Sequence, residues 1–159
     1  MKTLIIYNSK HHGNTKKIAR AISTVLEADL VNPDEVDITG FSTYDLIGFG
    51  SGIYYGKHHK SLFDLVAKLT NQKGRKAFIF STSGIKKISF FNEFDKPLKK
   101  KLLKKGFSVI GEFNCRGWDT YPFLVRPFGG ISKGRPNEND LENARSFARE
   151  LKKGYLKTI

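Results

Sequence analysis

Eight consecutive residues near the start of the chain, Asn8 Ser9 Lys10 His11 His12 Gly13 Asn14 Thr15, gather the side-chain types best suited to holding an anion. Hydroxyl, amide, imidazole and ammonium groups stand together there around one glycine. The residues before them, Thr3 to Tyr7, form a short apolar run rich in β-branched side chains and read as a buried strand. The residues after them, Thr15 to Glu27, place Ile18, Ala19, Ile22, Val25 and Leu26 on one helical face. A strand feeding a helix through such a turn aims free backbone N–H groups at one point, and the positive end of the helix dipole points there too. That arrangement binds a phosphate. The turn lacks the Gly-Lys-Ser/Thr ending of a Walker loop and the three glycines of a dinucleotide fingerprint. The competing reading is an ordinary βα turn with Asn14 or Thr15 as N-cap.

Three further loops join glycine or hydroxyl residues to apolar or aromatic ones: Gly50 Ser51 Gly52 Ile53 Tyr54 Tyr55 Gly56, then Ser81 Thr82 Ser83 Gly84 Ile85, then Asn114 Cys115 Arg116 Gly117 Trp118. Each follows an apolar run that reads as a strand: Tyr44 to Gly50, Lys76 to Ser81 and Phe107 to Phe113. A shorter candidate, Ala28 to Val31, ends at Asn32-Pro33. Helices are expected over His58 to Leu69, over Ser89 to Lys105 with a kink or break at Pro97, and over Asp140 to Lys153. In the lysine-rich run 96–105, Leu98, Leu102 and Leu103 are expected to face the core while the lysines stay wet. Strands alternating with helices imply an α/β fold, a doubly wound five-stranded parallel sheet of order 2-1-3-4-5 in a single domain over 1–159. Ligands of such sheets sit outside the carboxyl ends of the strands, where the four loops converge.

Ser9, Gly13, Asn14 and Thr15, followed by Gly50-Ser51-x-x-Tyr54-Tyr55-Gly56 and Thr82-Ser83-Gly84, resemble in order and spacing the flavin-binding loops of the short-chain flavodoxin family. The first loop is about one residue longer than the usual form and holds Lys10, His11 and His12 inside. The resemblance implies FMN as cofactor. Ser9, Lys10, His11, His12, Gly13, Asn14 and Thr15 would surround the phosphate; Ser51, Gly52, Ile53, Tyr54, Tyr55 and Gly56, with Thr82, Ser83, Gly84, Ile85 and Trp118, would surround the ring. One of Tyr54 and Tyr55 is expected to stack on the flavin; Trp118 is either a flavin wall or loop core. The implied function is electron transfer between redox partner proteins. A narrower resemblance, Ser51 to Leu65 to the flavodoxin-like protoporphyrinogen oxidases, implies an alternative: an FMN-dependent oxidoreductase acting on a quinone or porphyrinogen.

The chain has 159 residues and carries 28 Lys plus Arg against 15 Asp plus Glu, a net charge of +13 at pH 7. Such a surface attracts acidic protein patches, nucleic acid or anionic lipid, although a lysine-rich solvated surface with no specific partner is the favoured reading of the charge. No basic run is interleaved with aromatics, so no specific nucleic-acid partner is expected. Lys10, Lys57, Lys60, Lys86, Lys87 and Arg116 fall in or beside the proposed flavin loops. With no signal-peptide pattern, no run of 18 apolar residues and a single cysteine, the expected setting is cytoplasmic, without a transmembrane segment, although contact with an anionic membrane surface stays open. Cys115 reads as buried rather than reactive. His11-His12 and His58-His59 lack neighbouring carboxylates or cysteines and are weak metal ligands. No Ser/His/Asp set and no pair of catalytic carboxylates stand out.

Overall fold

Alternation along the strands divides the interior into two layers. On β1 (Thr3–Asn8), Leu4 and Ile6 face one side and Ile5 the other; on β3 (Leu46–Tyr54), Ile47 and Phe49 oppose Leu46. A strand covered on both faces is apolar throughout, which is why these runs carry no polar alternation. A computed structural model describes residues 1–85, 93–120, 127 and 129–156. Its remaining strands are β2 (Asp29–Val31), β4 (Lys57–His58), β5 (Lys76–Ser83) and β6 (Ser108–Arg116). The parallel order is β2-β1-β3-β5-β6, the expected 2-1-3-4-5 once the two-residue β4 is set aside.

Helices cover both faces. α1 (Asn14–Leu26) and α4 (Glu138–Leu156) bury Ile18, Ile22, Leu26, Ala144, Ala148 and Leu151 against Phe78 and Phe80. α2 (Lys60–Lys68) and α3 (Lys96–Lys104) bury Leu62, Leu65, Val66, Leu98 and Leu102 against Phe49 and Ile79. A 3-10 turn over Ile38–Thr43 stands between β2 and β3 and buries Phe41. Gly48 and Gly50 leave room on the first face: a Cβ there would meet the Phe78 and Phe80 rings.

Three details qualify the expectation. Of the kink or break expected at Pro97 the structure shows the break: residues 93–95 are not helical, and Pro97 sits in the first turn of α3, where its missing N–H costs nothing. Residues 89–92 of the expected helix, with Lys86 and Lys87, lie outside the described residues. Leu103 is half exposed rather than in the core, because Leu98 and Leu102 already span the helix face that meets the sheet. β3 runs on past Gly50 and turns back into β4, with Ile53 opposite His58 and Tyr54 opposite Lys57. The two turn residues, Tyr55 at φ 51° and Gly56 at φ 75°, both lie in the left-handed region, as a tight hairpin with a right-handed twist requires.

Candidate functional site

Parallel register delivers four loops to one edge. Asn8 pairs with Ser51, Ser51 with Ser81, Thr82 with Cys115 and Ser83 with Arg116, so β1, β3, β5 and β6 all end at one level. A cavity of about 620 Å³ opens there, within the size range of small-molecule sites. The first loop contributes Ser9, Lys10, His11, Asn14 and Thr15; the hairpin contributes Gly52, Ile53, Tyr54, Tyr55 and Gly56. Thr82, Ser83, Gly84 and Ile85 follow β5, and Trp118 follows β6. Phe94, Gly117 and Asp119 complete the lining.

Gly13 is the N-cap of α1 and has no side chain to cap with, so the capped-turn reading with Asn14 or Thr15 in that role does not hold. Lys16 N–H donates to Ser9 Oγ at 3.2 Å. His12 and Gly13, at φ 54° and 67°, bend the preceding backbone through the left-handed region, a conformation that turns successive N–H groups toward one concavity. Asn14 Oδ1 is buried with no hydrogen-bond partner, while its Nδ2 donates to Trp118 O at 2.7 Å. An acceptor left unpaired at a cavity wall suits a ligand hydroxyl.

Two apolar faces stand apart from the polar floor. Trp118 stacks on His12 with ring centroids 4.0 Å apart, and its Nε1–H donates to Gly129 O at 2.8 Å. His12 thus backs the indole rather than lining the cavity. The Tyr54 ring meets His59 edge-on at 5.5 Å. Burial pushes the Tyr54 phenol pKa up, against a hydrogen bond from the Lys10 backbone. Thr15 and Thr82 hydroxyls lie 2.8 Å apart and join the first loop to the third.

Ser51 is a correction. Its side chain is fully buried and turns away from the cavity. Ser51 Oγ accepts His59 N–H at 2.9 Å and lies 2.9 Å from His58 Nδ1. His58 Nε2 lies 2.8 Å from Asp95 Oδ1, which also accepts from Ser81 Oγ at 2.9 Å; Asn114 Nδ2 donates to Ser81 Oγ at 2.9 Å. A Ser/His/Asp chain therefore exists where the sequence suggested none. It is closed to solvent, and its imidazole nitrogens are used in the reverse sense to a hydrolase triad, where Nε2 faces the serine. It ties the hairpin to β5, β6 and the start of α3. His58 is accordingly a buried strand residue, and only His59 is a helix start, as N-cap of α2. Asp95 was hidden by the expectation of a helix through 89–105; Pro97 at the head of α3 was the available signal.

Cys115 is buried, and desolvation pushes its thiol up to about 12, with the Asp140 charge adding to the rise. Among the described residues no helix is long and apolar enough to cross a membrane.

Known proteins share this design. The profile of the flavodoxin domain matches residues 4–117. An uncharacterised protein of Methanocaldococcus jannaschii is 48% identical over 153 residues, covering 96% of this chain and 99% of its own. The oxidised flavodoxin 2 of Bacillus cereus superposes with a TM-score of 0.70 at 18% identity, covering 100% of both chains. A flavodoxin from the domain Archaea gives 0.69 at 18%, covering 98% of this chain and 99% of its own. The structural likenesses establish a common fold; the profile match over most of the chain establishes kinship, and the chain belongs to the flavodoxin domain family.

Proposed function

We propose that the chain binds FMN and carries electrons between redox partner proteins. The observation that carries this reading is the junction of the α1 N-terminus, whose cap residue Gly13 has no side chain, with a cavity walled by Tyr54 and Trp118. The residues present fit the cofactor. The amides around Gly13 and the hydroxyls of Ser9 and Thr15 would hold the phosphate, and Asn14 Oδ1 would accept from a ribityl hydroxyl. Tyr54, Trp118, Ile53 and Ile85 would exclude water from the ring, while the backbone at Gly52 and Gly84 meets its polar edge. Bound FMN supplies the one- and two-electron chemistry, and the chain's own part is to place it and set its surroundings.

The net charge of +13 supports partners with acidic docking surfaces. The visible spectrum of the purified protein tests the cofactor, and affinities for FMN, FAD and riboflavin test the phosphate site. A colourless protein that ignores FMN overturns the reading, and riboflavin binding as tightly as FMN overturns the phosphate assignment.

A second reading, an FMN-dependent oxidoreductase acting on a quinone or porphyrinogen, is favoured by the open rim of the first cavity, where Tyr55 and Ile85 are exposed. Steady turnover of a small molecule would separate it from a carrier, which cycles only between protein donor and acceptor.

A further inference from the structure

The second cavity, about 820 Å³, shares Lys10, His11, Tyr54 and Tyr55 with the first and runs under the hairpin toward α2 and the head of α3. We propose that it binds a small organic anion with a flat apolar body, an aromatic or conjugated carboxylate, set against the other side of the Tyr54 wall. This goes beyond the FMN reading, because Lys57, Lys60, Phe63 and Pro97 lie outside the first cavity.

Charge supports it. Among the described residues that line the cavity, Lys10, Lys57 and Lys60 stand with one acidic residue, Asp64. Asp64 is committed to Lys60 at 2.6 Å. No ion pair among the described residues involves Lys10 or Lys57, and both line the concave surface. The first turn of α2 holds no acidic residue, and its positive end borders the cavity at His59 and Lys60. The His59 pKa is held below its ordinary value, first by burial and then by the Lys10 charge, with Asp34 and Asp64 opposing.

Shape supports it as well. Tyr54, Tyr55, Phe63 and Pro97 supply flat apolar faces, which a bare inorganic anion would leave unused. Tyr55 is 85% exposed and sits at φ 51°, a backbone setting that a bulky side chain occupies at a cost. It stands at the lip shared by both cavities.

The test uses 2-naphthoate as probe and 2-naphthalenemethanol as its neutral counterpart, titrated calorimetrically into FMN-loaded protein. We expect one naphthoate per chain, bound at least about tenfold tighter than the alcohol, with affinity falling as salt rises. Lys57→Glu, at an exposed position, should weaken naphthoate about 5- to 20-fold and change the affinity for the neutral alcohol less than about twofold. Equal binding of acid and alcohol, no saturable binding, or a Lys57→Glu variant that binds naphthoate normally overturns the proposal. So does naphthoate that competes with FMN one for one, since it would then occupy the first cavity. Repeating the titration without FMN separates the two readings: naphthoate binding retained in a protein that ignores FMN removes the flavin assignment and upholds the second site.

Discussion

Thr15 Oγ1 and Thr82 Oγ1 meet at 2.8 Å, so the hydroxyl at the head of α1 is also the strut that spaces the first loop from the third. Thr15→Ala should therefore weaken FMN by removing about 0.5–1.5 kcal/mol of hydrogen bonding while leaving riboflavin nearly unaffected. Part of the loss should be shared with Thr82. In a double-mutant cycle on FMN affinity, Thr15→Ala and Thr82→Ala should be non-additive by a few tenths of a kcal/mol or more. Strict additivity would show that the two hydroxyls act independently.

Tyr54 and Tyr55 should separate in their effects. Tyr54→Ala removes a half-buried wall and should weaken FMN and raise the emission of the bound flavin. Tyr55→Gly relieves the left-handed strain at the hairpin tip and should raise stability by about 1 kcal/mol in urea. Unchanged emission in both variants would shift the stacking role to Trp118.

The buried His58–Asp95 pair should be costly to break. His58→Leu leaves a carboxylate in the interior without its imidazole, and a loss of about 3–5 kcal/mol is expected in urea denaturation. Ser51 is sealed in the same chain, so the wild-type protein should not hydrolyse p-nitrophenyl acetate above background. Saturable esterase activity lost in Ser51→Ala would reverse that view.

His59 should titrate below the ordinary value of about 6.5. Burial is the larger cause, so Lys10→Met should raise the value only part of the way, as followed by NMR of the ring protons. A depressed folded-state value means that the unfolded chain binds the proton more readily. The group's contribution to stability is therefore complete above about pH 6.5 and declines as the pH falls toward the folded value.

A basic surface should also be legible in the redox behaviour of the FMN-loaded protein. One positive charge about 10 Å from the ring favours its anionic reduced form by roughly 0.4–0.8 kcal/mol, or about 20–35 mV. Added salt should lower the final reduction potential. A potential that stays constant or rises would show that Lys10, Lys57, Lys60 and Arg116 act only as a solvated coat.

The sheet was readable because its central strands are apolar on both faces, and Ile5, Phe49 and Ile79 announce that without any long-range information. Most of the first cavity was readable for a related reason: residues that end parallel strands must share an edge. The polar chain through Ser51, His58 and Asp95 was not, since its members are 7 and 37 residues apart and meet only through the hairpin and the head of α3. Nor was the hairpin itself foreseen. Tyr55-Gly56 carries a bulky residue where asparagine or aspartate usually marks such a turn.

Trp118 is the chain's single tryptophan, and it lines the first cavity. The molecule thus carries a built-in optical reporter. Indole emission overlaps flavin absorption, so a flavin lodged beside this ring would quench it by energy transfer. The rise and fall of one ultraviolet-excited signal would then give loading and release in real time, on unlabelled protein. Because the indole is also stacked on His12 and anchored at Gly129, the same light would register any loosening of the connection between β6 and α4.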